Sequence, residues 1–186
     1  ASPSPDDPVF ADNEVHVIAS ARQTLEAAAD AARAEGLQAV ILSDRIEGEA
    51  RDIGQMHAAI AREIAERDAP FARPVLVLSG GETTGTLTGD GGRGGRNTEF
   101  LLSFALDIEG GEGITALAAD TDGIDGSEDN AGAFATGTTA AAMRASGGDP
   151  RASLGAHDAW GAFDAARALF VPGPTGSNVY DFRAII

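Results

Sequence analysis

The sequence predicts an α/β fold: a mixed, largely parallel sheet with helices on both faces, in three layers. Strand-like and helix-like patterns alternate through the first eighty residues, the order that builds a sheet covered by crossover helices. Val75-Leu76-Val77-Leu78 is a continuous apolar run of the kind found in strands buried on both faces. Taken in order, Ser2-Pro3-Ser4-Pro5-Asp6-Asp7-Pro8 reads as a linker, and Val15-His16-Val17-Ile18 as a short β-rich run. Ser20 with Gln23 has the form of a capping box. Leu25, Ala28, Ala29 and Ala32 share one face of the helix it opens, which should stop at Gly36. Ala39 to Leu42 reads as a buried strand. A second helix runs from about Glu49 to Arg67, with Ile53, Met56, Ile60 and Ile64 on its inner side.

Beyond residue 73 Gly and Asp become frequent, a shift that could mark a domain seam. Thr83 to Thr88 can pair back on the preceding strand, Gly89 to Gly95 is a loop, and Asn97 is suited to cap a helix carrying Phe100, Leu101, Phe104, Ala105 and Ile108. Ile114 to Ala118 is another strand and runs into Asp120-Thr121-Asp122-Gly123-Ile124-Asp125-Gly126. Thr138 and Asp149-Pro150 open later helices, Leu169-Phe170-Val171 is a short strand, and Gly173-Pro174-Thr175-Gly176 precedes a last strand ending at Ile186.

Composition excludes several functions. The 13 basic residues, all Arg, stand against 29 acidic ones, for a net charge of −16. Nucleic-acid binding needs clustered cations and is disfavoured. With no Lys there is no Walker-type phosphate loop and no Schiff-base chemistry from this chain alone. With no Cys there is no disulfide framework or thiolate zinc site, so nothing points outside the cytoplasm. The apolar runs are too short to cross a membrane. The first residue is Ala1 rather than Met, from which an upstream segment is expected.

Four loops concentrate glycine and polar residues at predicted strand ends, where ligands bind in open α/β sheets. The Gly92-Arg93-Gly94-Gly95-Arg96-Asn97 loop combines close-approach glycines, a following helix N-terminus and two forked cations, which suits a phosphate or carboxylate; a hairpin loop with solvated arginines reads equally well. Gly89-Asp90-Gly91-Gly92-Arg93-Gly94 satisfies a dinucleotide fingerprint, a match that arises easily by chance in so glycine-rich a tract. Asp120, Asp122 and Asp125 do not have EF-hand spacing. Beside an anion they make sense around a divalent cation; alone they read as a turn. Glu82, directly after Gly80-Gly81, is placed to orient an Arg or a ligand hydroxyl. Ser79 has no G-x-S-x-G around it and no evident His partner, and His16, His57 and His157 lack metal-ligand spacing. Trp160, Phe163 and Phe170 are expected in the core.

Ser79-Gly80-Gly81-Glu82-Thr83-Thr84, Gly92 to Asn97 with Glu99-Phe100, Asp120 to Gly126, and Gly173-Pro174-Thr175-Gly176 with Asn178-Val179 together resemble the C-terminal part of the glycerate 2-kinase family, whose closing segment is the MOFRL domain. Members similar to this sequence are labelled hydroxypyruvate reductase in tartrate-degradation operons. The resemblance implies transfer of the γ-phosphoryl group of ATP, with Mg²⁺, to the 2-hydroxyl of D-glycerate, in a cleft shared with an N-terminal kinase domain that carries the catalytic Lys. Residues 1–8 would then be a linker, 9–72 the tail of the kinase region and 73–186 the MOFRL-like domain. By motif, Arg96 is the expected catalytic residue. Gly80, Gly81, Glu82, Thr83, Arg93, Gly94, Gly95, Asn97, Glu99, Thr175, Gly176 and Asn178 are the expected binding residues, with Asp122 and Asp125 at the metal. The family usually has Gln at Thr98, an Asn-Asp-Ser/Gly-aromatic run at His157-Asp158-Ala159-Trp160, and Asn at Tyr180. Two other readings stay open: an NAD(P)-dependent hydroxypyruvate reductase, and a non-catalytic ligand-binding module. Oligomeric state, a homodimer included, is not fixed by the sequence.

Overall fold

The computed structural model describes residues 4, 7–14, 16–85 and 91–186. After a 3-10 turn at Pro8–Phe10, the elements are α1 (Ala21–Ala34), β1 (Gln38–Glu49), α2 (Ala50–Arg67), β2 (Val75–Thr84), α3 (Arg96–Asp107), β3 (Thr115–Asp120), β4 (Gly132–Thr136), α4 (Thr139–Ala145), α5 (Pro150–Gly155), α6 (Ala159–Ala165), β5 (Leu169–Phe170) and β6 (Asp181–Ile185). Residues 16–20 form no strand, and Val15 lies outside the described residues, as does most of the linker read at 2–8.

The mixed α/β sheet is present, in the order β1-β2-β6-β3-β4-β5. It is mostly antiparallel rather than largely parallel: only β1 and β2 pair parallel. The cause is β6, which returns from the end of the chain and inserts between β2 and β3, and β4, which folds back on β3. Pair by pair, the registers nevertheless leave β1, β2, β3 and β5 pointing the same way. The carboxyl ends of β1, β2 and β3 therefore meet at one edge, and Asp181 enters that edge from the start of β6.

Side chains alternate along the strands into two cores. Leu76 and Leu78 face α1 through Leu25 and Ala29, with Ile41, Phe182 and Ala184. Val75 and Val77 face α2 and α3 through Ala61, Ile64, Phe100 and Phe104, with Ala116, Ala118 and Ile185. Helices thus cover both faces, α1 alone on one of them. Ser20 caps α1, its Oγ accepting from Gln23 N–H at 3.3 Å. The inner side of α2 is Ala50, Gly54, His57, Ala58, Ala61 and Ile64, with Ile53 and Ile60 partly buried against the same core as expected; Met56, expected there too, is 40% exposed. Gly54 is required there because a Cβ would lie 2.3 Å from the Phe100 carbonyl oxygen, so the glycine lets α2 and α3 touch backbone to backbone.

Thr83 and Thr84 continue β2 rather than turning back on it; Thr86, Leu87 and Thr88 of that expected pairing, and Gly89 and Asp90 of the glycine tract, lie outside the described residues. Neither β4 nor α6 is expected from the sequence. Phe163 is buried as expected, while Trp160 and Phe170 are only partly so.

Candidate functional site

At the converging strand ends lies a cleft of about 810 Å³, lined by Glu47, Glu82, Thr83, Gly94, Gly95, Arg96, Glu99, Asp120, Asp125 and His157 among others. Its chemistry centres on Arg96, the first residue of α3. Arg96 Nε donates to Asp181 Oδ1 at 2.6 Å and Nη2 donates to Asp120 Oδ2 at 2.8 Å. Nη1 lies 3.7 Å from Glu82 Oε1, and the side chain keeps 27% of its surface exposed. Two carboxylates thus grip one edge of the guanidinium while the Nη1 edge faces the cleft, an arrangement suited to forked binding of an anion.

Asp120 ends β3 and is 7% exposed; its other oxygen accepts from Asp122 N–H at 3.1 Å. Burial pushes its carboxyl up to about 6, against the pull of Arg96. Asp181 is fully buried, and its two oxygens accept from Arg96, Asn97 Nδ2, Thr83 N–H, Thr83 Oγ1 and Arg183. In the same first turn of α3, buried Glu99 accepts from Arg51 Nε at 2.9 Å and Nη2 at 2.5 Å, and its Oε2 lies 3.0 Å from His157 Nδ1.

Asp125 has a different task from the one expected. Its Oδ1 accepts from Asn97 N–H at 2.9 Å, and its Oδ2 accepts from Thr98 N–H and Thr98 Oγ1, each at 2.8 Å. This carboxylate caps α3 from a distant loop, and both oxygens are occupied. Asn97 is therefore not the cap; it is the second residue of the helix, behind Gly95. Gly95 must be glycine because a Cβ would come within 2.4 Å of Asp125 Oδ1. The N–H groups offered in the sequence reading to a phosphate are taken by Asp125 instead.

Glu82, Thr83, Gly94, Gly95, Arg96, Glu99 and Asp125 are brought together in the cleft lining; the other expected residues are not among those lining it. Gly80 and Gly81 are buried within β2, and Asn97 is buried under α3. Arg93 stacks on Trp160, 4.0 Å from the ring centroid, with Asp158 Oδ1 3.9 Å from its Nε. Asp122 spends Oδ1 on Ile124 N–H and Oδ2 on Asn178 Nδ2, while Thr175 Oγ1 donates to Thr121 O. Asp122, Thr175, Gly176 and Asn178 thus belong to a loop–loop contact. Asp181, Arg51, Glu47 and His157 were not singled out as site residues in the sequence, and Asp120 was placed in a candidate loop but not at the metal. An Asp closing a predicted strand was a readable signal for Asp120; for His157 there was none. His57 does pair with Ser79, Nε2 to Oγ at 2.9 Å, but both are about 1% exposed and cannot meet a substrate. Among the described residues no cluster of three or more His, Cys, Asp or Glu is disposed to hold a metal by itself, and no helix is long and apolar enough to cross a membrane.

Comparison with known proteins bears on this geometry. The profile described as the MOFRL family matches residues 75–181, more than half of the chain. A putative hydroxypyruvate reductase of Agrobacterium vitis is 50% identical over 175 residues, covering 94% of this chain and 46% of its own length. A D-glycerate 2-kinase of Thermotoga maritima is 38% identical over 168 residues, covering 90% of this chain and 40% of its own. The crystal structure of glycerate kinase from Thermotoga maritima superposes with a TM-score of 0.90 at 37% identity, covering 93% of this chain and 42% of that one. The chain spans less than half the length of these relatives.

Proposed function

The chain belongs to the MOFRL family, and on that footing we propose that it supplies one wall of the active site of a glycerate kinase, which transfers the γ-phosphoryl group of ATP to the 2-hydroxyl of D-glycerate. The observation that carries the reading is Arg96, clamped by Asp120 and Asp181 with its remaining edge open to the cleft. Phosphoryl transfer depends on positioning and on neutralising charge as it builds on the equatorial oxygens. A guanidinium already oriented by two carboxylates provides both, either to the transferring group or to the glycerate carboxylate.

Mg²⁺ fits the donor set in a particular way. This ion is commonly held by one or two carboxylates together with substrate phosphates, and keeps several waters. Glu82 and Asp120 line the cleft beside Arg96 and are the residues that would hold it; Asp125, which spends its oxygens on the start of α3, and Asp122, which is not among the lining residues, suit this less. When bound, the ion supplies charge neutralisation between the phosphates. The chain's own residues orient: Arg96 presents its fork, and the Arg51–Glu99–His157 cluster ties the first turn of α3 to α2 and to the loop before α6. The remaining donors, including the Lys this chain lacks, are expected from an N-terminal domain.

The name carried by the Agrobacterium vitis relative favours a second reading, reduction of hydroxypyruvate. Like a nucleotide-binding unit, β2 leads through the glycine tract into α3 and on to β3. Yet a dinucleotide pyrophosphate needs the helix N-terminal N–H groups, and Asp125 holds those of Asn97 and Thr98. One preparation of the complete gene product decides between them. ADP formed from ATP, Mg²⁺ and D-glycerate in a coupled assay, with no NADH consumed by hydroxypyruvate, is the expected result; the reverse pattern overturns the proposal.

A further inference from the structure

Beneath the cleft, Asp181 binds three segments together. Its Oδ1 takes Arg96 Nε and Asn97 Nδ2 from α3, and its Oδ2 takes Thr83 N–H and Oγ1 from β2 and, at 2.5 Å, Nη2 of Arg183 two residues along β6. Arg183 is an unusual occupant of this place. It is fully buried, 5.0 Å below the Phe100 ring, and its Nε and Nη1 have no hydrogen-bond partner among the described residues. Buried cations with unsatisfied donors are costly, and an apolar side chain of similar volume is often at least as stable in such a position. Besides the Phe100 face and the Thr83 hydroxyl, 3.0 Å from Nη2, the carboxylate that Arg183 meets among the described residues is Asp181, and the reason for its charge is to be sought there. His57, which approaches from α2, adds no competing charge: burial pulls its pKa down to about 4, and it accepts from the Ser79 hydroxyl as a neutral ring.

We propose that Asp181 and Arg183 are positioning residues for Arg96: Asp181 fixes the Nε edge of its guanidinium, and Arg183 neutralises Asp181 from the opposite side, so that the charge of Arg96 remains directed into the cleft. Without Arg183, the buried Asp181 carboxylate would hold Arg96 as its sole full counter-ion and so weaken it as a partner for an anionic ligand. With Arg183 in place the Asp181–Arg183 pair is neutral, and Arg96 is opposed by Asp120 and, at the longer distance of 3.7 Å, by Glu82, both of which line the same cleft. The inference rests on Arg96 being the group that meets an anion, but not on which reaction follows.

The test uses the complete gene product and methylguanidinium as a stand-in for the side chain. In Arg96→Ala, saturable binding of methylguanidinium, followed by ligand-observed NMR, is expected. Adding Asp181→Asn should weaken it at least ten-fold, whereas adding Arg183→Met, or Arg183→Gln where Met abolishes a cooperative melt, should tighten it several-fold. A merely structural pair would move neither affinity in these opposite directions. Equal affinity with and without Asp181→Asn overturns the role of Asp181, and unchanged or weaker binding in the Arg183 variant overturns that of Arg183. Should the Asp181→Asn double variant fail to melt cooperatively, the otherwise unaltered protein still decides: the Arg Nε–H resonance that disappears in Arg96→Lys should be shifted downfield and exchange slowly, and a random-coil shift with fast exchange overturns the anchor. None of these readouts needs turnover, so they separate failure of the positioning pair from failure of the kinase reading, which the ADP assay reports.

Discussion

Two helix starts in this molecule solve the same problem in opposite ways. The first turn of α1 is capped locally, by Ser20 three residues before its partner Gln23, in a half-exposed place. The first turn of α3 is capped by Asp125, 28 residues from Asn97 and 27 from Thr98, in a fully buried place. Either arrangement satisfies orphan N–H groups. The difference is that a local cap stabilises one helix, while the distant one also locks the Asp120–Asp125 loop against the residue that carries the site, Arg96. α3 is thus held at its start by Asp125 on one side and by Asp181 on the other. Its first N–H groups are spent on Asp125, while its first side chain, Arg96, lines the cleft.

That contrast can be broken by mutation. Asp125→Ala strands buried donors of Asn97 and Thr98 and should cost about 3 kcal/mol or more, since each unsatisfied buried group costs ~1–3 kcal/mol. Ser20→Ala should cost ~1 kcal/mol at most, the usual value of an exposed cap. Chemical denaturation of the two variants side by side checks this, and equal losses would mean that the Asp125 cap is no stronger than a local one.

A smaller effect follows from Asp120. In the folded protein it keeps its proton up to about pH 6, against an ordinary 3.8 in the open chain. The folded state therefore binds more protons in that window, and the contribution is present below pH 3.8 and lost as pH rises through 6. His57, pulled down from 6.5 to about 4, acts in the opposite sense, losing stability as pH falls, so the difference between wild type and Asp120→Asn is the useful quantity. From pH 4 to 7, Asp120→Asn should gain on the wild type by about 1 kcal/mol, the full shift being discounted for a buried group that borders the open cleft. Thermal melts across that range measure it, and parallel curves would contradict it.

The smallest effect concerns two departures from the family pattern. His157 and Tyr180 have φ of 55° and 70°, in the left-handed region, at positions where the resemblance leads one to expect Asn. Asn tolerates this region better than an aromatic ring does. Tyr180 is half exposed, so Tyr180→Asn should stabilise the protein by ~0.5–1 kcal/mol, at the low end of what such strain costs. A lowered melting temperature would show that the Tyr180 ring makes a compensating contact.

What could be read from the sequence was local. The Ser20 cap, the apolar run of β2 and the periodicity of α2 each lie within a few residues, and each formed. β4 was missed because Gly132-Ala133-Phe134-Ala135-Thr136 is poor in β-branched residues and is a strand only through pairing with β3. The sheet's direction was misread because β6 inserts from the far end of the chain, which no short-range pattern encodes. In the site, Arg96 and the loop glycines were legible as a motif, whereas the residues that give them meaning were not. Asp181 lies 85 residues from Arg96, and Arg93, which in the sequence alone reads as a second anion-binding cation, stacks on Trp160.

The most direct test of the account is the rate of ADP formation by the complete gene product carrying Arg96→Lys, with ATP, Mg²⁺ and D-glycerate, against the wild type. Lys keeps the charge but cannot reach Asp181 and Asp120 while presenting a fork to the cleft. The account predicts a fall in kcat/KM of about 100-fold or more in a variant that still melts cooperatively above the assay temperature. Turnover near that of the wild type would contradict it.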